Sequence, residues 1–394
     1  MASKFANNEK VKLVAAAVAD SCDYTRATVD KMPAGEFAGK KYGKSYKVYI
    51  PGVPKVVNGV VADPSDIVEI ETEVVLDNDN VSCELGPWTR LGDIESFKDQ
   101  IAKPYGNALA RAQEKKIIAA NVYKSAQTVV GTASFGTLSK AAAALRQLAI
   151  SGEVFSFVNP DVMATVSASG LANFLPSETM KRIYSDNYIG QYAGAAQIET
   201  PDLPVLTTGV SIPEATITLG DAVTDSSAHA LGFAEITQIS GSNLIPGLVY
   251  KAAGLKVVDT NGIQTNQDVS IIVLDTAGHI SPLRITLDGM SYNNANAWVP
   301  TGTTTLTLTS PLSTSTTYYI GQVRTKDCIT YSNYKFDDLP GSENEAVGTV
   351  GGKSVKMSMY GEGLSLNKLV RMDSTFAAGL FEPRGSVTVY IPQA

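Results

Sequence analysis

The sequence has little of the chemistry on which catalysis and metal binding usually depend. Its 394 residues include two histidines and three cysteines. His229 lies in SSAHALG and His279 in the turn-like DTAGHISP, and a solvated loop position explains each better than metal ligation. Cys22, Cys83 and Cys328 are far apart and lack metal-type spacing, which indicates free thiols in a reducing compartment. We therefore expect no enzyme activity and assign no catalytic, cofactor-binding or metal-binding residue.

Long hydrophobic runs are also missing. No stretch reaches the ~18 or more consecutive apolar residues of a membrane span. The N-terminus comes nearest, because Lys10 and Lys12 precede the apolar run 13–19 and imitate a signal peptide. That run is short and mostly alanine, and Glu9 lies where a signal peptide would be basic. A short amphipathic helix over 8–21 explains the pattern better.

An excess of positive charge is absent as well. The net charge is −7 and the isoelectric point is about 5.1. Tight binding to nucleic acid comes from clustered lysine and arginine, so the sequence disfavours a protein whose main task is to grip phosphate backbones. The composition, 44% hydrophobic and 18% charged, is that of a globular protein, and the length allows two or three domains.

Four short motifs imitate functional sites. Segments 39–45 (GKKYGKS) and 348–354 (GTVGGKS) resemble phosphate-binding loops, but each is one residue short and precedes a predicted strand instead of a helix. Segment 365–368 matches S-x-x-K without the motifs that accompany it in penicillin-binding enzymes. Segment 77–80 (DNDN) suggests a calcium loop but lacks the glycine and the closing glutamate, so a solvated turn is favoured. None of the four is assigned a function.

The longest regular pattern, residues 91–127, predicts the helix around which the chain is organised. Apolar residues recur at three- and four-residue spacing and predict one buried stripe, which comprises Ile94, Phe97, Ile101, Tyr105, Ala108 and Ala112. Pro104 interrupts the pattern. Either the helix is kinked there, or, as we prefer, its uninterrupted part begins with Pro104 in the first turn and runs to about Ala126.

Two alternating segments before this helix, 44–52 and 66–76, predict strands. The residues between them contain prolines and the turn pair Asn58-Gly59, so the whole reads as a long two-stranded excursion. A bare hairpin of that length is marginal in water, and we expect it to rest on something else, such as a neighbouring subunit. The Gly- and Lys-rich segment 33–43 predicts a mobile arm.

After the long helix the pattern is α/β and then all-β. Residues 137–151 predict a helix that Gly152 ends, 153–159 a buried strand, and Pro160 the start of a helix that runs to about Ser169. Residues 211–322 form a run of short strands with turn signals and almost no helical periodicity, which predicts a β module inserted into a larger domain.

Four short motifs, in a particular order, carry a resemblance to a known family. They are Phe157–Pro160 (FVNP), Thr200–Leu206 (TPDLPVL), Lys326-Asp327 before a tyrosine-rich strand, and Phe381–Arg384 (FEPR). With the order of the predicted elements, they make the chain resemble a tailed-bacteriophage major capsid protein of the Hong Kong ninety-seven fold. It is most similar to the coat proteins of short-tailed Salmonella phages, which carry an inserted β domain. The resemblance covers essentially the whole chain, although each motif is short.

The resemblance implies an α+β fold and a division of the chain into seven segments. These are an N-terminal arm (1–43), an E-loop (44–85), a peripheral domain with the spine helix (86–152), an axial domain (153–210), an inserted β domain (211–322), a return to the axial domain (323–340) and a C-terminal part of the peripheral and axial domains (341–394).

The resemblance also implies function and partners. The chain would self-assemble through hexamers and pentamers into an icosahedral shell, in the cytoplasm of a host bacterium, and enclose double-stranded DNA without reading its sequence. Partners would be a scaffolding protein, which the arm helix 8–21 would contact, a portal at one vertex and a possible decoration protein. No membrane is implied.

Two other interpretations of the sequence remain open. The chain could be a secreted or surface β-rich adhesin with 211–322 as a binding module, although the helical middle and the weak signal-peptide pattern count against it. A hydrolase with a dispersed site would instead show a concave cluster of titratable groups with perturbed pKa values.

Overall fold

The computed structural model describes residues 2–31, 45–51, 69–85, 97–148, 150, 152–171, 191–212, 215–218, 233–238, 240–242, 244–258, 264–286, 290–292, 298–300, 305–334, 344–361 and 368–393. These residues form a mixed α+β fold with many strands and few helices. The α-helices are α1 (Ala2–Ser21), α2 (Lys103–Asn121), α3 (Phe135–Gln147) and α4 (Pro160–Leu171).

The strands are named in chain order. They are β1 (Ser45–Pro51), β2 (Glu69–Leu85), β3 (Gln127–Val130), β4 (Val154–Val158), β5 (Gln191–Tyr192), β6 (Ala195–Glu199), β7 (Val205–Thr207), β8 (Ala215–Thr218), β9 (Phe233–Gln238), β10 (Ser240–Ser242), β11 (Val249–Val258), β12 (Gln264–Ile272), β13 (His279–Thr286), β14 (Met290–Tyr292), β15 (Trp298–Pro300), β16 (Thr305–Leu308), β17 (Thr317–Thr325), β18 (Ile329–Tyr334), β19 (Asn344–Val350), β20 (Lys353–Gly361), β21 (Lys368–Leu380) and β22 (Ser386–Pro392).

The chain folds as two compact units. The first comprises Met1–Val48, Glu73–Ile117 and Thr330–Gly379, and the second comprises Tyr49–Thr72, Ile118–Ile329 and Leu380–Ala394.

The first unit is a sheet in the order β1-β2-β21-β20-β19, with β18 also paired to β21. Helix α1 packs on β19 and β20, and the core holds apolar side chains of α1, α2 and the strands. The helix predicted over 8–21 is confirmed, and it begins at Ala2. The predicted arm 33–43 lies outside the described residues.

Strand β2 has 17 residues, roughly 56 Å at about 3.3 Å per residue. The strands predicted over 44–52 and 66–76 are present as β1 and β2. The solvated turn predicted at 77–80 is wrong. Asp77–Asn80 pair in unbroken register with Asp373–Phe376 of β21. The partner strand satisfies their backbone groups, and this long-range pairing overrides the local turn preference of Asp and Asn.

Helix α2 begins close to the position predicted from Pro104. Residues Lys98–Ala102 form a π-helical turn in which the Lys103 N–H donates to the Lys98 carbonyl. Proline supplies no N–H and its ring crowds the carbonyl four residues earlier, so a widened turn just before Pro104 relieves that conflict. Pro104 is the second residue of α2, and the prediction that it lies in the first turn is confirmed.

The end of α2 and part of its buried stripe were predicted wrongly. The helix ends at Asn121 instead of Ala126, because Ala126 N–H donates to the Pro383 carbonyl (3.0 Å) and β3 then pairs in parallel with β22. Phe97 and Ile101 are buried as predicted, but Ala108 and Ala112 are exposed. The buried residues of α2 occur as adjacent pairs that recur every four residues. Each residue advances about 100° around the helix axis, so four residues advance about 400°, and the buried stripe turns by about 40° with each repeat.

The second unit contains a sheet in the order β3-β22-β17-β4-β6-β5, with β7 also paired to β17. Helix α3 packs on this sheet. Ser134 is its N-cap, since its Oγ accepts from Thr137 N–H (3.3 Å). The strand predicted over 153–159 and the helix predicted from Pro160 are present as β4 and α4. The helix predicted over 137–151 is present as α3, but it ends at Gln147 with Leu148 as its C-cap, so the prediction that Gly152 ends it is wrong.

The all-β stretch of the second unit leaves and returns at neighbouring strands. Thr207 of β7 pairs with Thr317 of β17, and Ser315 N–H donates to the Gly209 carbonyl (2.9 Å). Between these points the chain makes the small sheets β10-β8-β16, β11-β12, β13-β9 and β14-β15. The short strands predicted in this stretch are present.

Candidate functional site

The described residues show no group of three or more His, Cys, Asp and Glu side chains able to hold a metal ion. The three cysteines are free thiols. His279 lies in an exposed turn, where its Nδ1 is 2.6 Å from Asp275 Oδ2, and His229 lies outside the described residues. In the part of the chain that is described, no helix has the length and apolar character needed to cross a membrane.

The false phosphate loop at 348–354 is a tight β-hairpin. Gly351 and Gly352 have φ of 56° and 75°, in the left-handed region, and form the turn between β19 and β20. A strand follows, as the sequence predicted, so no helix N-terminus is aimed at a phosphate. Residues 39–44 and Ser365 lie outside the described residues, and Ser45 is the first residue of β1.

A buried ionic cluster lies at the end of this hairpin in the first unit. Lys353 Nζ donates to Thr25 Oγ1 (2.5 Å) and lies 3.3 Å from the centroid of the Tyr331 ring. Thr25 in turn donates to Glu114 Oε1 through its N–H (3.0 Å) and its hydroxyl (3.3 Å). Thr25 therefore bridges a buried cation from β20 and a buried carboxyl from α2.

Burial governs the titration of this cluster. It lowers the pKa of Lys353 to about 8, against the opposing effect of Cys22 and Glu114. It also raises the pKa of Glu114, although Thr25 and Tyr24 N–H groups and Lys353 favour the carboxylate. Burial raises the pKa of Cys22 to about 11. Burial therefore shifts all three groups towards their neutral forms.

The segment 77–80 (DNDN) forms a second charged site, in which a lysine side chain lies between two aspartates. Lys116 of α2 bonds Asp77 Oδ2 (2.8 Å) and Asp79 Oδ1. The hydrogen bond from Lys116 lowers the pKa of Asp77, and the two aspartates raise the pKa of Lys116. The lysine occupies the place between the carboxylates that the sequence pattern suggested for calcium.

The other face of the first sheet is polar. Lys356 Nζ is 2.9 Å from Glu345 Oε2, and Arg371 donates through Nε (3.0 Å) and Nη2 (2.7 Å) to Asp373 Oδ1. Asn78 Nδ2 adds a third donor to Asp373 (3.2 Å). This polar network spans β19, β20, β21 and β2, so one face of the sheet carries the apolar core and the other carries charge.

In the second unit, the FEPR motif folds into a local ion pair. Arg384 donates through Nε to Glu382 Oε1 (2.8 Å) and through Nη2 to Oε2 (2.9 Å). The neighbouring Arg324 of β17 is fully buried, with its guanidinium carbon 4.6 Å from the centroid of the Phe157 ring. Phe157 and Glu382 therefore both have structural partners inside this unit.

Sequence patterns did not reveal the buried charges. Lys353 was noticed only inside a false phosphate loop, and Glu114 and Arg324 gave no signal. A buried charge on a helix or strand has the same local pattern as an exposed one. Only the register of β20 against distant elements places Lys353 beside Thr25.

No protein-family model and no curated protein matches the sequence. Several solved structures align with most of the chain. A Mycobacterium phage Che8 structure has a TM-score of 0.45 and 11% identity over 93% of this chain and 90% of that one. The capsid of Ralstonia phage GP4 has a TM-score of 0.47 and 7% identity over 90% and 84%. A virus-like particle from Pyrococcus furiosus has a TM-score of 0.41 and 9% identity over 96% and 97%. With identities this low and TM-scores below 0.5, these likenesses transfer no function.

Proposed function

We propose that this chain is the major capsid protein of a tailed phage and assembles into an icosahedral shell around double-stranded DNA. The observation that carries the proposal is the order of the elements along the chain. An N-terminal helix, a long strand pair, a long helix, an α/β sheet, an all-β excursion and a return to the same sheet follow one another. This is the order that the sequence resemblance implies.

The long strand pair supports a role in contacts between copies. Leu76–Leu85 of β2 pair with β21, whereas the strand begins seven residues earlier, at Glu69. Val75, at the limit of that pairing, is 60% exposed. A large apolar side chain that stays exposed on a strand is suited to burial against another molecule. We assign 44–85 as the E-loop of the proposed shell.

The hydrogen-bonded junction of β7 and β17 supports an inserted domain. The chain departs after Gly209 and returns at Ser315, two positions joined by a hydrogen bond. Residues 317–325 form one strand of the main sheet of the second unit, so this geometry favours an insertion that ends near 316, a few residues before the boundary of 322 drawn from sequence. The other segment boundaries, from 1–43 to 341–394, remain part of the proposal.

The proposed partners follow from the shell. Copies would meet in hexamers and pentamers, and each specific contact would need to bury more than ~1,000 Å², with weaker contacts made effective by their number. A scaffolding protein, a portal and a possible decoration protein complete the proposal. Helix α1 was the proposed scaffold contact, but its apolar stripe is buried in the core, so only exposed positions such as Lys12 and Asp20 are suited to that role.

Sedimentation of the expressed protein, alone and with a candidate scaffolding protein, tests the proposal. A discrete, fast-sedimenting species of uniform size is expected with the scaffold. A protein that stays monomeric or dimeric under both conditions would remove the proposal, and the 211–322 segment should then be screened for ligands as an adhesin module.

A further inference from the structure

Strand β7 of the second unit leaves one of its edges unpaired. Its only partner among the described strands is β17. Thr208 N–H donates to the Thr316 carbonyl (2.9 Å), so Thr208 faces β17, and Pro204, four residues earlier, faces the same way. Residues of an antiparallel strand face the partner and face away in turn, so Val205 and Thr207 direct their N–H and C=O groups to the open edge. The N–H that Pro204 lacks is therefore not on that edge.

Apolar side chains lie on both faces of this edge. Val205 is 51% exposed on one face, and Leu206 points to the other because side chains alternate along a strand. A Cβ on Gly247 would lie 3.1 Å from Leu206 Cδ1, so the turn that carries Ile245, itself 40% exposed, packs beside β7 on that second face. Val210, three residues beyond the strand, is 90% exposed. Large apolar side chains left exposed close together mark contact surfaces.

The surroundings of this edge also lack charge. Residues 203–212, 244–250 and 305–323 contain no Asp, Glu, Lys, Arg or His, although 18% of the whole chain is charged. The hydrogen bond from Ser315 N–H to the Gly209 carbonyl joins the first and third of these segments. Depletion of charged residues, more than general hydrophobicity, distinguishes the core of a contact between proteins. The edge therefore has the composition of a surface that another molecule covers.

A second copy of the chain is the occupant that these features favour. An antiparallel strand edge is complementary to itself, because a two-fold axis brings each N–H of one copy opposite a C=O of the other. The chain has a net charge of −7, so two copies repel each other where charged surfaces meet, and an uncharged surface is free of that repulsion. A nucleic acid or a charged peptide would find no charge to pair with in these segments.

We propose that the outer edge of β7 pairs antiparallel with the same edge of a second copy of this chain, across a two-fold axis. Val205 and Thr207 of each copy supply the backbone hydrogen bonds, and the contact covers the exposed Val205, Val210 and Ile245 side chains. A strand of three residues makes a small interface, so this dimer is weak and reversible. The inference goes beyond the shell proposal and requires neither a scaffold nor a shell. A chain that forms this dimer but no shell would support the inference and remove the shell proposal.

Amide hydrogen exchange read residue by residue, on the full-length protein expressed alone, tests this pairing. Protein concentration is varied from about 5 to about 500 μM, a range over which a weak contact dissociates. The Val205 and Thr207 amides should exchange roughly tenfold more slowly at the highest concentration, whereas those of Leu206 and Thr208, which face β17, should change by less than about twofold. Sedimentation equilibrium of the same samples should show monomer and dimer. Exchange at Val205 and Thr207 that does not depend on concentration would overturn the proposal and leave a strand of another protein as the candidate occupant.

Two substitutions at one position separate pairing from folding. Thr207→Pro removes the outward N–H but no backbone bond to β17, and proline is tolerated on edge strands in that orientation. Thr207→Val loses the same hydroxyl and keeps the N–H. The proline variant should raise the dissociation constant of the dimer by roughly tenfold or more, since two hydrogen bonds are lost per dimer, and the valine variant should dimerise like wild type. Equal dimerisation of the two variants would contradict the proposal.

A charge placed on the edge gives a second test that does not depend on proline being accepted. Val205→Asp puts a carboxylate on the exposed side chain and should weaken the dimer by roughly tenfold or more. The matched control, Ala164→Asp, adds the same charge at an exposed position of α4 in the same unit and should leave the dimer unchanged. Added salt should not weaken the wild-type dimer, because no ion pair holds it. A dimer that dissociates in salt, or that tolerates Val205→Asp, would overturn the proposal.

Discussion

At the scale of single residues, the core of the first unit contains an amide that its surroundings do not satisfy. Gln113 of α2 is fully buried, and neither its Oε1 nor its Nε2 has a hydrogen-bond partner in the structure described here. A buried polar group without a partner costs about 1–3 kcal/mol. Its neighbour Glu114 is also buried, but it accepts hydrogen bonds from Thr25.

Replacing that amide should stabilise the protein. We expect Gln113→Met, which keeps the length of the side chain and removes both polar atoms, to raise the free energy of unfolding by about 1–3 kcal/mol. Urea denaturation followed by circular dichroism measures this. The control, Gln147→Met at an exposed position near the end of α3, should change it by less than about 0.5 kcal/mol. A less stable Gln113→Met protein would show that the amide has a favourable role.

Lys353 should make stability depend on pH in the alkaline range. Its pKa is about 8 in the folded protein and 10.5 for an ordinary lysine, so between these values the unfolded chain binds up to one more proton than the native state. Stability from this group therefore rises with pH across that window, by roughly 3 kcal/mol at about 1.36 kcal/mol per unit.

The difference between wild type and Lys353→Met isolates this effect, because the other titrating groups are common to both proteins. Unfolding free energies measured from pH 7.5 to 10.5 should show wild type gaining on the variant as pH rises. A constant difference across the range would mean that Lys353 keeps an ordinary pKa in the folded protein.

At the scale of elements, local patterns predicted those parts of the fold that local chemistry determines. The proline at the start of α2 and the Pro160 start of α4 are short-range signals, and both were located from the sequence. The failures have distant causes. Strand β21 keeps Asp77–Asn80 extended, and β22 draws the chain out of α2 into β3, although each partner lies more than 200 residues away. Propensity cannot register a partner so far along the chain.

The pairing of β7 with β17 holds together the two ends of the all-β stretch. Thr208 Oγ1 lies 2.7 Å from the Ser313 carbonyl oxygen, and it accepts from Thr316 N–H (2.9 Å). Thr208→Val keeps the shape but removes these bonds. It should lower the stability of this unit by about 1–3 kcal/mol.

Limited proteolysis and thermal unfolding of the two valine variants test the junction. Thr207→Val is the matched control, because the Thr207 side chain is exposed and its hydroxyl bonds that of Thr317; the substitution should cost less than about 0.5 kcal/mol. Equal stability of the two variants would show that the junction hydroxyl is dispensable.

At the level of the whole molecule, we predict that an exposed apolar residue of β2 is needed for assembly but not for folding of the subunit. Val75→Asp should leave the circular dichroism spectrum and melting temperature of the subunit nearly unchanged, because the side chain is exposed, yet should prevent formation of large particles. Ser82→Asp adds the same charge at an exposed position of the same strand, opposite Arg371, and should assemble normally. If both variants assemble, the prediction that β2 contributes to contacts between copies is wrong.

The sequence resemblance implied the order of the segments but not the contacts that hold them in place. It could not show that the arm helix is part of a core, that the excursion leaves from a hydrogen-bonded strand pair, or that the first sheet has one apolar and one charged face. These features depend on which distant strands meet. They are the features on which the proposed contacts between copies depend.

Electron microscopy of the purified protein, expressed with and without a candidate scaffolding protein, shows whether this chain forms a shell. We expect closed icosahedral particles of uniform diameter when the scaffold is present. A field of single subunits, dimers or irregular aggregates under both conditions would contradict the claim that this chain forms a shell.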